Sequence, residues 1–248
     1  LLAFILVIII TSSQVFGASY IYKVDKESSS VEKIAPIESS ISTSLTLSPP
    51  EFNFQSVSQI LIEPTTGTVL YANNENERLL PASVTKIMTL LLIMEQIDSG
   101  KLAYTDKIKC SENASKMGGS QIWFKEGEEL TVEDCLKAIC VVSANDVTVA
   151  MAEHIAGSQE NFVKMMNEKA KDLGMENTCF KNAHGIDEEG HYTTAKDISI
   201  MSRELIIKHP DILKFTSIWM DTLRDGTFGL TNTNKLIRNY AGATGLKT

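Results

Sequence analysis

A serine and a lysine three residues apart, Ser83 and Lys86, are the pair in this sequence best suited to chemistry. They begin a long apolar run that Gly100 follows, which predicts a helix between these points. Residues i and i+3 share a helix face, so the serine hydroxyl and the lysine amine are expected to touch. A serine becomes a good nucleophile when a neighbouring base takes its proton, and an uncharged lysine can be that base. Taken alone, the spacing is more typical of an ordinary helix start.

Two further motifs favour the catalytic interpretation. Ser143-Ala144-Asn145 follows Ser83 by 60 residues, and Lys247-Thr248 follows Ser143 by 104 residues. The order S-x-x-K, S-x-N, K-T-G is typical of serine enzymes that recognise penicillin, although this sequence stops before the glycine of the third motif. The three motifs together predict one catalytic site.

Each of these side chains suits a particular task. Ser143 can relay a proton, although it is also a good helix cap. The amide of Asn145 can donate to a substrate and hold Lys86. A cation and a hydroxyl, Lys247 and Thr248, suit a terminal carboxylate. Burial of Lys86 and the nearby charge of Lys247 would each lower the pKa of the Lys86 amine.

The residues around the motifs resemble those of the D-alanyl-D-alanine carboxypeptidase family, the low-molecular-weight penicillin-binding proteins, and especially the type found in spore-forming Gram-positive bacteria. The resemblance runs from about Ser56 to Thr248. It is carried by residues 78–89 (RLLPASVTKIMT), 117–121 (MGGSQ), 190–197 (GHYTTAKD) and 231–236 (TNTNKL).

The resemblance implies an α/β (α+β) fold of the β-lactamase/transpeptidase type, in which a helical lobe is inserted into an antiparallel sheet. Ser83 would lie on the floor of a cleft, Ser143 and Asn145 on its helical wall, and Lys247 on a strand of its sheet wall. Members of the family continue beyond the third motif with further strands, a small β-rich domain and often an amphipathic membrane helix. We therefore expect a domain at residues 52–248 that lacks its C-terminal strands, and membrane association only through the missing segment.

The implied activity is that of a serine-type carboxypeptidase. Through an acyl-enzyme at Ser83 it would remove the terminal D-Ala from peptidoglycan stem peptides that end in D-Ala-D-Ala, and so remodel the cell wall. β-Lactams would acylate the same serine, and no metal or cofactor is implied. The alternatives are a catalytically silent β-lactam sensor or wall-binding protein and, less in keeping with the sequence, a class A-like β-lactamase. The β-lactamase pattern pairs its deacylating glutamate with an asparagine four residues later, and no glutamate here has one.

The net charge excludes one class of partner, and the N-terminal residues indicate export. The net charge of −8 argues against nucleic-acid binding, which needs a basic surface. Residues 1–18 resemble the apolar core and cleavage region of a partial secretory signal peptide, with an uncleaved anchor as the alternative. Residues 19–51 are rich in Ser, Thr and Glu and predict a flexible linker. The expected location is the cell wall or the outer face of the cytoplasmic membrane.

Some chemically capable residues are better explained by structure. Cys110, Cys135, Cys140 and Cys179 form no metal-binding pattern and are interpreted as mainly structural, with one disulfide left open. His184 and His191 are interpreted as structural or exposed. Trp123 is predicted in the core, and the resemblance implies structural support from Asn232 and Asn234.

Periodicity predicts the remaining elements. Two strands at 57–62 and 68–71 are predicted to form a hairpin around the turn 64–67. Helices are predicted at about 131–142, 145–156, 159–173 and from 194 to about 209. Further strands are predicted from Ile218 onward.

Overall fold

The computed structural model describes residues 5–9 and 55–247. Strands are β1 (Ile5–Ile9), β2 (Ser58–Ile62), β3 (Val69–Asn73), β4 (Lys107–Lys109), β5 (Glu129–Thr131), β6 (Met220–Leu223) and β7 (Phe228–Thr231). Helices are α1 (Lys86–Asp98), α2 (Glu112–Ser115), α3 (Val132–Val142), α4 (Asn145–Ala156), α5 (Gln159–Asp172), α6 (Ala195–Lys208), α7 (Leu213–Thr216) and α8 (Lys235–Asn239). Short 3₁₀ helices lie at Ala82–Thr85 and Pro210–Ile212. The predicted linker lies outside the described residues.

The strands form three small sheets. β2 and β3 pair antiparallel, which confirms the predicted hairpin, and β1 pairs with β2 in parallel. β4 pairs antiparallel with β5, and β6 with β7. β1 falls inside the segment interpreted as a partial signal peptide, and that interpretation stays a prediction.

The central helices begin and end where sequence signals place them. The side chains of Thr131, Ser158 and Thr194 each accept a hydrogen bond from a backbone N–H in the first turn of α3, α5 and α6. Such caps satisfy donors that a helix start leaves unpaired. Gly157 ends α4 with a φ of 77°, a left-handed conformation that glycine adopts without strain.

Helix α1 is the centre of the core. Its residues from Lys86 to Met94 are all buried, so apolar side chains cover its whole circumference. α1 packs against α4, α5 and α6. Each fully buried Leu or Ile contributes about 1.5–3 kcal/mol, so burial on every side fixes α1 firmly. The residues at its start are thereby held on a rigid element.

The region after Ile218 confirms one prediction and corrects another. β6 and β7 confirm the predicted strands, but a helix, α8, follows them, and the segment from 241 to 247 is irregular. Lys247 therefore does not lie on a strand. Gly242 and Gly245 have φ values of 88° and 64°, which interrupt any extended run.

The interpretation of Asn232 and Asn234 as structural residues agrees with their bonds. Asn232 is buried, donates to the Ile218 carbonyl and accepts from the backbone N–H of Asn234. Asn234 caps α8 by accepting from Leu236 N–H.

The four cysteines are free thiols in the structure. Cys110, Cys135 and Cys140 are buried and Cys179 is partly exposed. Burial raises the pKa of the Cys110 and Cys140 thiols to about 12 in each case. The structural interpretation of these residues is therefore supported.

Trp123 does not lie in the core, so that prediction was wrong. Its side chain is 65% exposed, and its φ of 53° places it in the left-handed region. The neighbours Ile122 and Phe124 are buried, so this turn directs the two flanking side chains inward and the indole outward.

Within the residues that the structure describes, none of the helices combines the length and the hydrophobicity that crossing a bilayer requires.

Candidate active site

Ser83 lies in a tight turn at the N-terminal end of the buried helix α1. The 3₁₀ helix Ala82–Thr85 leads directly into α1. Ala82 has a φ of 47°, an uncommon conformation for a residue other than glycine. The turn leaves the Ser83 side chain half-buried, so its hydroxyl stays accessible at the end of a rigid element.

Lys86 is completely buried and contacts Ser83, as the i, i+3 spacing predicts. Its Nζ lies 3.2 Å from Ser83 Oγ and 2.5 Å from the backbone carbonyl oxygen of His184. Burial first, and then the charge of Lys247, hold the pKa of the Lys86 amine well below its usual range. The environment therefore favours the uncharged amine.

Ser83 Oγ and the His184 carbonyl oxygen together fix how an uncharged Lys86 amine is oriented. An uncharged amine has two N–H donors and one lone pair. A carbonyl oxygen can only accept, so one N–H is directed at His184 O. The lone pair is then free to accept the proton of Ser83 Oγ. This arrangement can activate a serine by general-base catalysis.

The loop that supplies this carbonyl is fixed by Asn182. Its Oδ1 accepts from Gly185 N–H at 2.7 Å, and its Nδ2 donates to Ile186 O at 2.8 Å. Ile186 N–H also donates to His184 Nδ1 at 3.2 Å. A backbone carbonyl 98 residues beyond Lys86 carries no side-chain signature. Sequence analysis therefore missed it, together with the asparagine that positions it.

Gly185 packs against the turn that precedes Ser83. A Cβ built on Gly185 would lie 1.8 Å from the carbonyl oxygen of Ala82, and the φ of Gly185 is 90°. Only glycine fits both the close approach and the backbone conformation. The backbone of the 182–188 loop therefore lies directly against the backbone of the turn that carries Ser83.

The two histidines are buried and structural, in keeping with the interpretation from sequence. His191 Nδ1 accepts from Lys181 N–H at 3.3 Å, so Nε2 carries the proton and donates to Thr85 Oγ1 at 2.9 Å. Burial, followed by the charges of Lys86 and His191, lowers the pKa of His184 to about 4. The His191 ring thus ties the loop to Thr85 in the 3₁₀ helix, and the His184 ring accepts from Ile186 N–H within the loop itself.

Ser143 lies in the sharp turn between α3 and α4, and Asn145 is the first residue of α4. Ser143 has a left-handed backbone, with φ 62° and ψ 34°. Ser143 Oγ and Asn145 Oδ1 are both buried, and neither has a hydrogen-bond partner within the described part of the chain. Buried polar atoms are usually paired, so these two oxygens are available to a ligand or to water.

Asn145 is positioned by the loop at 118–120. Its Nδ2 donates to Gly118 O at 2.8 Å, and its backbone N–H donates to Ser120 O at 2.7 Å. A Cβ at Gly119 would lie 2.8 Å from Asn145 Nδ2. The expected contact between Asn145 and Lys86 is not formed here, because the lysine donates to His184 O and the amide to Gly118 O.

Asp146 joins the same loop to α4 through its buried carboxylate. It accepts from the backbone N–H groups of Ile122, Phe124 and Val147 at 2.9–3.1 Å. Charge-assisted bonds of this kind are among the strongest in proteins. The 118–124 loop and the start of α4 are therefore held as a unit.

Lys247 is partly buried and acts on Lys86 through its charge. Desolvation lowers the pKa of Lys247 to about 8, and the Cys140 thiolate would oppose that shift. Lys247 and Lys86 therefore belong to one electrostatic site, although they are 161 positions apart in the sequence. Thr248, the other residue predicted to bind a carboxylate, lies outside the described residues.

Across residues 5–9 and 55–247, no three of the His, Cys, Asp and Glu side chains are grouped so that they could hold a metal ion.

Comparison with known proteins identifies the family. The sequence profile described as D-alanyl-D-alanine carboxypeptidase matches residues 43–248. D-alanyl-D-alanine carboxypeptidase DacF of Bacillus subtilis is 55% identical over 201 residues, which cover 80% of this chain and 51% of DacF. DacC of Escherichia coli is 37% identical over 158 residues, covering 61% of this chain and 40% of DacC. The chain thus spans about half the length of DacF and less than half the length of DacC.

Solved structures with the same fold support this assignment. D-alanyl-D-alanine carboxypeptidase DacD of Francisella tularensis superposes with a TM-score of 0.75 at 28% identity, covering 81% of this chain and 60% of DacD. Penicillin-binding protein D2 of Listeria monocytogenes, in its ampicillin-bound form, gives a TM-score of 0.72 at 30% identity and covers 80% of each chain. The expected transpeptidase-type fold is confirmed.

Proposed function

Because the chain belongs to the D-alanyl-D-alanine carboxypeptidase family, we propose that the protein is a serine-type hydrolase that removes the terminal D-Ala from peptidoglycan stem peptides. The observation that carries the proposal is the contact of Ser83 Oγ with a buried Lys86 amine whose pKa is strongly lowered. A serine hydroxyl beside an uncharged amine at a helix start can act as a nucleophile that a substrate carbonyl acylates.

The reaction begins with attack of Ser83 Oγ on the carbonyl carbon of the penultimate D-Ala. The Ser83 proton passes to the Lys86 lone pair, while His184 O keeps the amine oriented. The backbone N–H of Ser83 and the positive end of α1 favour the negative charge that develops on the substrate oxygen. Collapse of the intermediate releases D-Ala, which takes a proton, and leaves an acyl-enzyme. Water then cleaves the ester and regenerates Ser83.

Ser143 and Asn145 are proposed to act on the other side of the reacting bond. The unpartnered Ser143 Oγ can pass a proton between the amine of Lys86 and the leaving D-Ala nitrogen. Asn145 can hold the substrate amide, since its Oδ1 has a free acceptor position. Fixed partners of this kind are more useful than mobile ones because their orientation is set before the substrate binds.

Lys247 and Thr248 are proposed to bind the terminal carboxylate of the substrate. A partly desolvated ammonium is a strong partner for a carboxylate, since little water competes with it. In β-lactams the carboxylate and the reactive carbonyl are placed much as the terminal carboxylate and the scissile carbonyl are in a D-Ala-D-Ala peptide. The Listeria relative is known in ampicillin-bound and cefotaxime-bound forms. We therefore propose β-lactams as acylating ligands of this chain as well.

Treatment of the full-length protein with penicillin G is expected to add one penicilloyl group at Ser83, because Ser83 has the activated hydroxyl. Intact mass and peptide mapping measure the adduct. Ser83→Ala should abolish it, whereas Ser115→Ala, which alters a half-buried serine in α2, should leave it unchanged. An adduct at another residue, or none, contradicts the assignment.

The same labelled protein separates the alternatives. A carboxypeptidase keeps the penicilloyl label longer than a β-lactamase does, and it releases D-Ala from a D-Ala-D-Ala peptide. A β-lactam sensor labels without releasing D-Ala, and a β-lactamase loses the label quickly.

The value of kcat/KM for a D-Ala-D-Ala peptide is expected to fall as pH rises through about 8. Lys247, whose pKa is lowered to about 8, is charged below that pH and loses its charge above it. The substrate carboxylate stays negative throughout, so binding weakens with the loss of the ammonium. Lys247→Arg should move this decline to higher pH because a guanidinium stays charged. A decline that stays near pH 8 in Lys247→Arg would assign it to another group.

We propose that the protein acts outside the cytoplasm, at the cell wall or the outer membrane face, where it contributes to wall remodelling and cell shape. Three features support this location: residues 1–18 as a partial signal peptide, residues 19–51 as a flexible linker, and a family whose substrate is peptidoglycan. The catalytic domain is proposed to occupy residues 52–248. Sequencing of the mature N-terminus from the exported protein tests the signal and the location together.

A further inference from the structure

A large aromatic side chain stands exposed on a strained backbone beside the proposed active site. Trp123 is 65% exposed and has a φ of 53°. Bulky residues rarely adopt positive φ, and such strain persists only where surrounding structure holds it. An exposed indole adds little to the core, so packing does not explain why tryptophan occupies this position.

The backbone on both sides of Trp123 is held by buried or paired charges. The Asp146 carboxylate accepts from Ile122 N–H and Phe124 N–H. Arg224 donates to Ile122 O at 3.0 Å and to Trp123 O at 3.3 Å. Glu128 fixes that guanidinium through a 2.6 Å bond. These bonds maintain the turn that presents the indole to solvent.

The indole borders an open depression of about 510 Å³. Trp123 and Phe228 meet edge to face with ring centroids 6.0 Å apart, and Arg224 lies over the Phe228 ring at 5.1 Å. The charged side chains around it are Lys125, Arg224, Glu126 and Glu128, two of each sign. The depression therefore combines aromatic faces with polar groups and has no net charge.

This depression is continuous with the loop that positions Asn145. Ser120 O accepts from Asn145 N–H, and Trp123 follows Ser120 by three residues. Three extended residues span at most about 10 Å, so the Trp123 backbone lies within that distance of the loop carbonyl that contacts Asn145.

We propose that the Trp123 depression binds a pyranose ring of the peptidoglycan glycan strand while the attached stem peptide reaches Ser83. The proposal rests on the proposed function, because that function supplies a peptide substrate joined to a sugar. A pyranose has an apolar C–H face that stacks on an indole and hydroxyls around its rim that bond to carboxylates and cations. A balanced set of charges suits a neutral sugar better than it suits an anionic or a cationic ligand.

The substrate itself links the two sites. Four residues of a pentapeptide stem lie between the sugar and the scissile bond, and they span at most about 14 Å when extended. The depression shares its loop with Ser120, whose carbonyl contacts the backbone of Asn145, so a sugar bound there would lie on the side of the site where Asn145 is proposed to hold the peptide. Trp123 would then determine preference for wall-linked or muropeptide substrates over free peptides.

Binding of chitotetraose, an oligomer of N-acetylglucosamine, tests the subsite without requiring catalysis. Calorimetry on the full-length protein should show that Trp123→Asn weakens binding by about tenfold or more, since aromatic stacking has about this effect. Trp123→Phe should retain part of the affinity. Tyr240→Asn is the matched control, because Tyr240 is 67% exposed but has an ordinary backbone φ of −123°. It should bind as the wild type does.

Kinetics on two substrates test the role in the reaction. Trp123→Asn should raise KM for a disaccharide pentapeptide about fivefold or more with kcat unchanged, and should leave the free pentapeptide and penicillin acylation unaffected. Its melting temperature should hold or rise, because asparagine tolerates positive φ. The proposal is overturned if the wild type does not bind chitotetraose. It is also overturned if Trp123→Asn loses activity equally on both peptides and has a lower melting temperature. Absence of D-Ala release from either peptide instead contradicts the proposed carboxypeptidase activity, and leaves the calorimetric result valid as the test of the sugar site.

Discussion

Lys86→Met is expected to lower the rate of penicillin acylation by about 10³-fold or more without unfolding the protein. A general base contributes about 10²–10⁴-fold, and the variant removes the amine that lies 3.2 Å from Ser83 Oγ. Methionine has a similar volume and suits a completely buried position. Stopped-flow acylation and thermal melts measure the two effects separately.

Lys164→Met is the control for this substitution, because it makes the same change at an exposed position of α5. We expect its acylation rate to match the wild type. Acylation by Lys86→Met within about tenfold of the wild type, or roughly 1.4 kcal/mol of barrier, would falsify the role of Lys86 as the base.

Gly185→Ala is expected to destabilise the protein by about 3 kcal/mol and to slow acylation by about 10²-fold. The positive φ costs about 1–2 kcal/mol for a residue with a Cβ, and overpacking adds about 1–3 kcal/mol. The new methyl group would lie 1.8 Å from Ala82 O, so either the 182–188 loop or the turn before Ser83 must move. A displacement of about 1 Å at a reacting group is sufficient for such a loss of rate.

Gly157→Ala separates the effect of backbone conformation from that of the clash. Gly157 has a φ of 77°, but nothing lies within 4 Å of the position of its Cβ. This variant should lose only about 1–2 kcal/mol, seen as a lower melting temperature, and should acylate normally. If the two variants behave alike in both assays, the close approach at Ala82 is not what requires glycine at 185.

The local parts of the site could be predicted from the sequence. The contact of Ser83 with Lys86 follows from the helical period, because both residues and the buried helix lie in one segment. The start of α3 follows in the same way from Thr131 and Asp134, which form the predicted cap. Such features need no knowledge of what packs against them.

The long-range parts could not be predicted in this way. His184 contributes a backbone carbonyl, and every residue has one, so its side chain gives no indication of the contact with Lys86. Trp123 was placed in the core because aromatic residues usually are buried, but bonds from Asp146 and Arg224 fix a backbone that turns it outward. Lys247 was assigned to a strand by resemblance, but the segment 241–247 that contains it is irregular in the structure.

The buried cysteines have a consequence for chemical reactivity. Disulfide exchange and alkylation proceed through the thiolate, and a thiol with a pKa of about 12 is ionised in only about one molecule in 10⁵ at pH 7. Cys110 and Cys140 are therefore almost inert while the domain is folded, even in an oxidising compartment. Labelling of these two thiols would report transient unfolding of the domain, and their oxidation would mark molecules that had failed to fold.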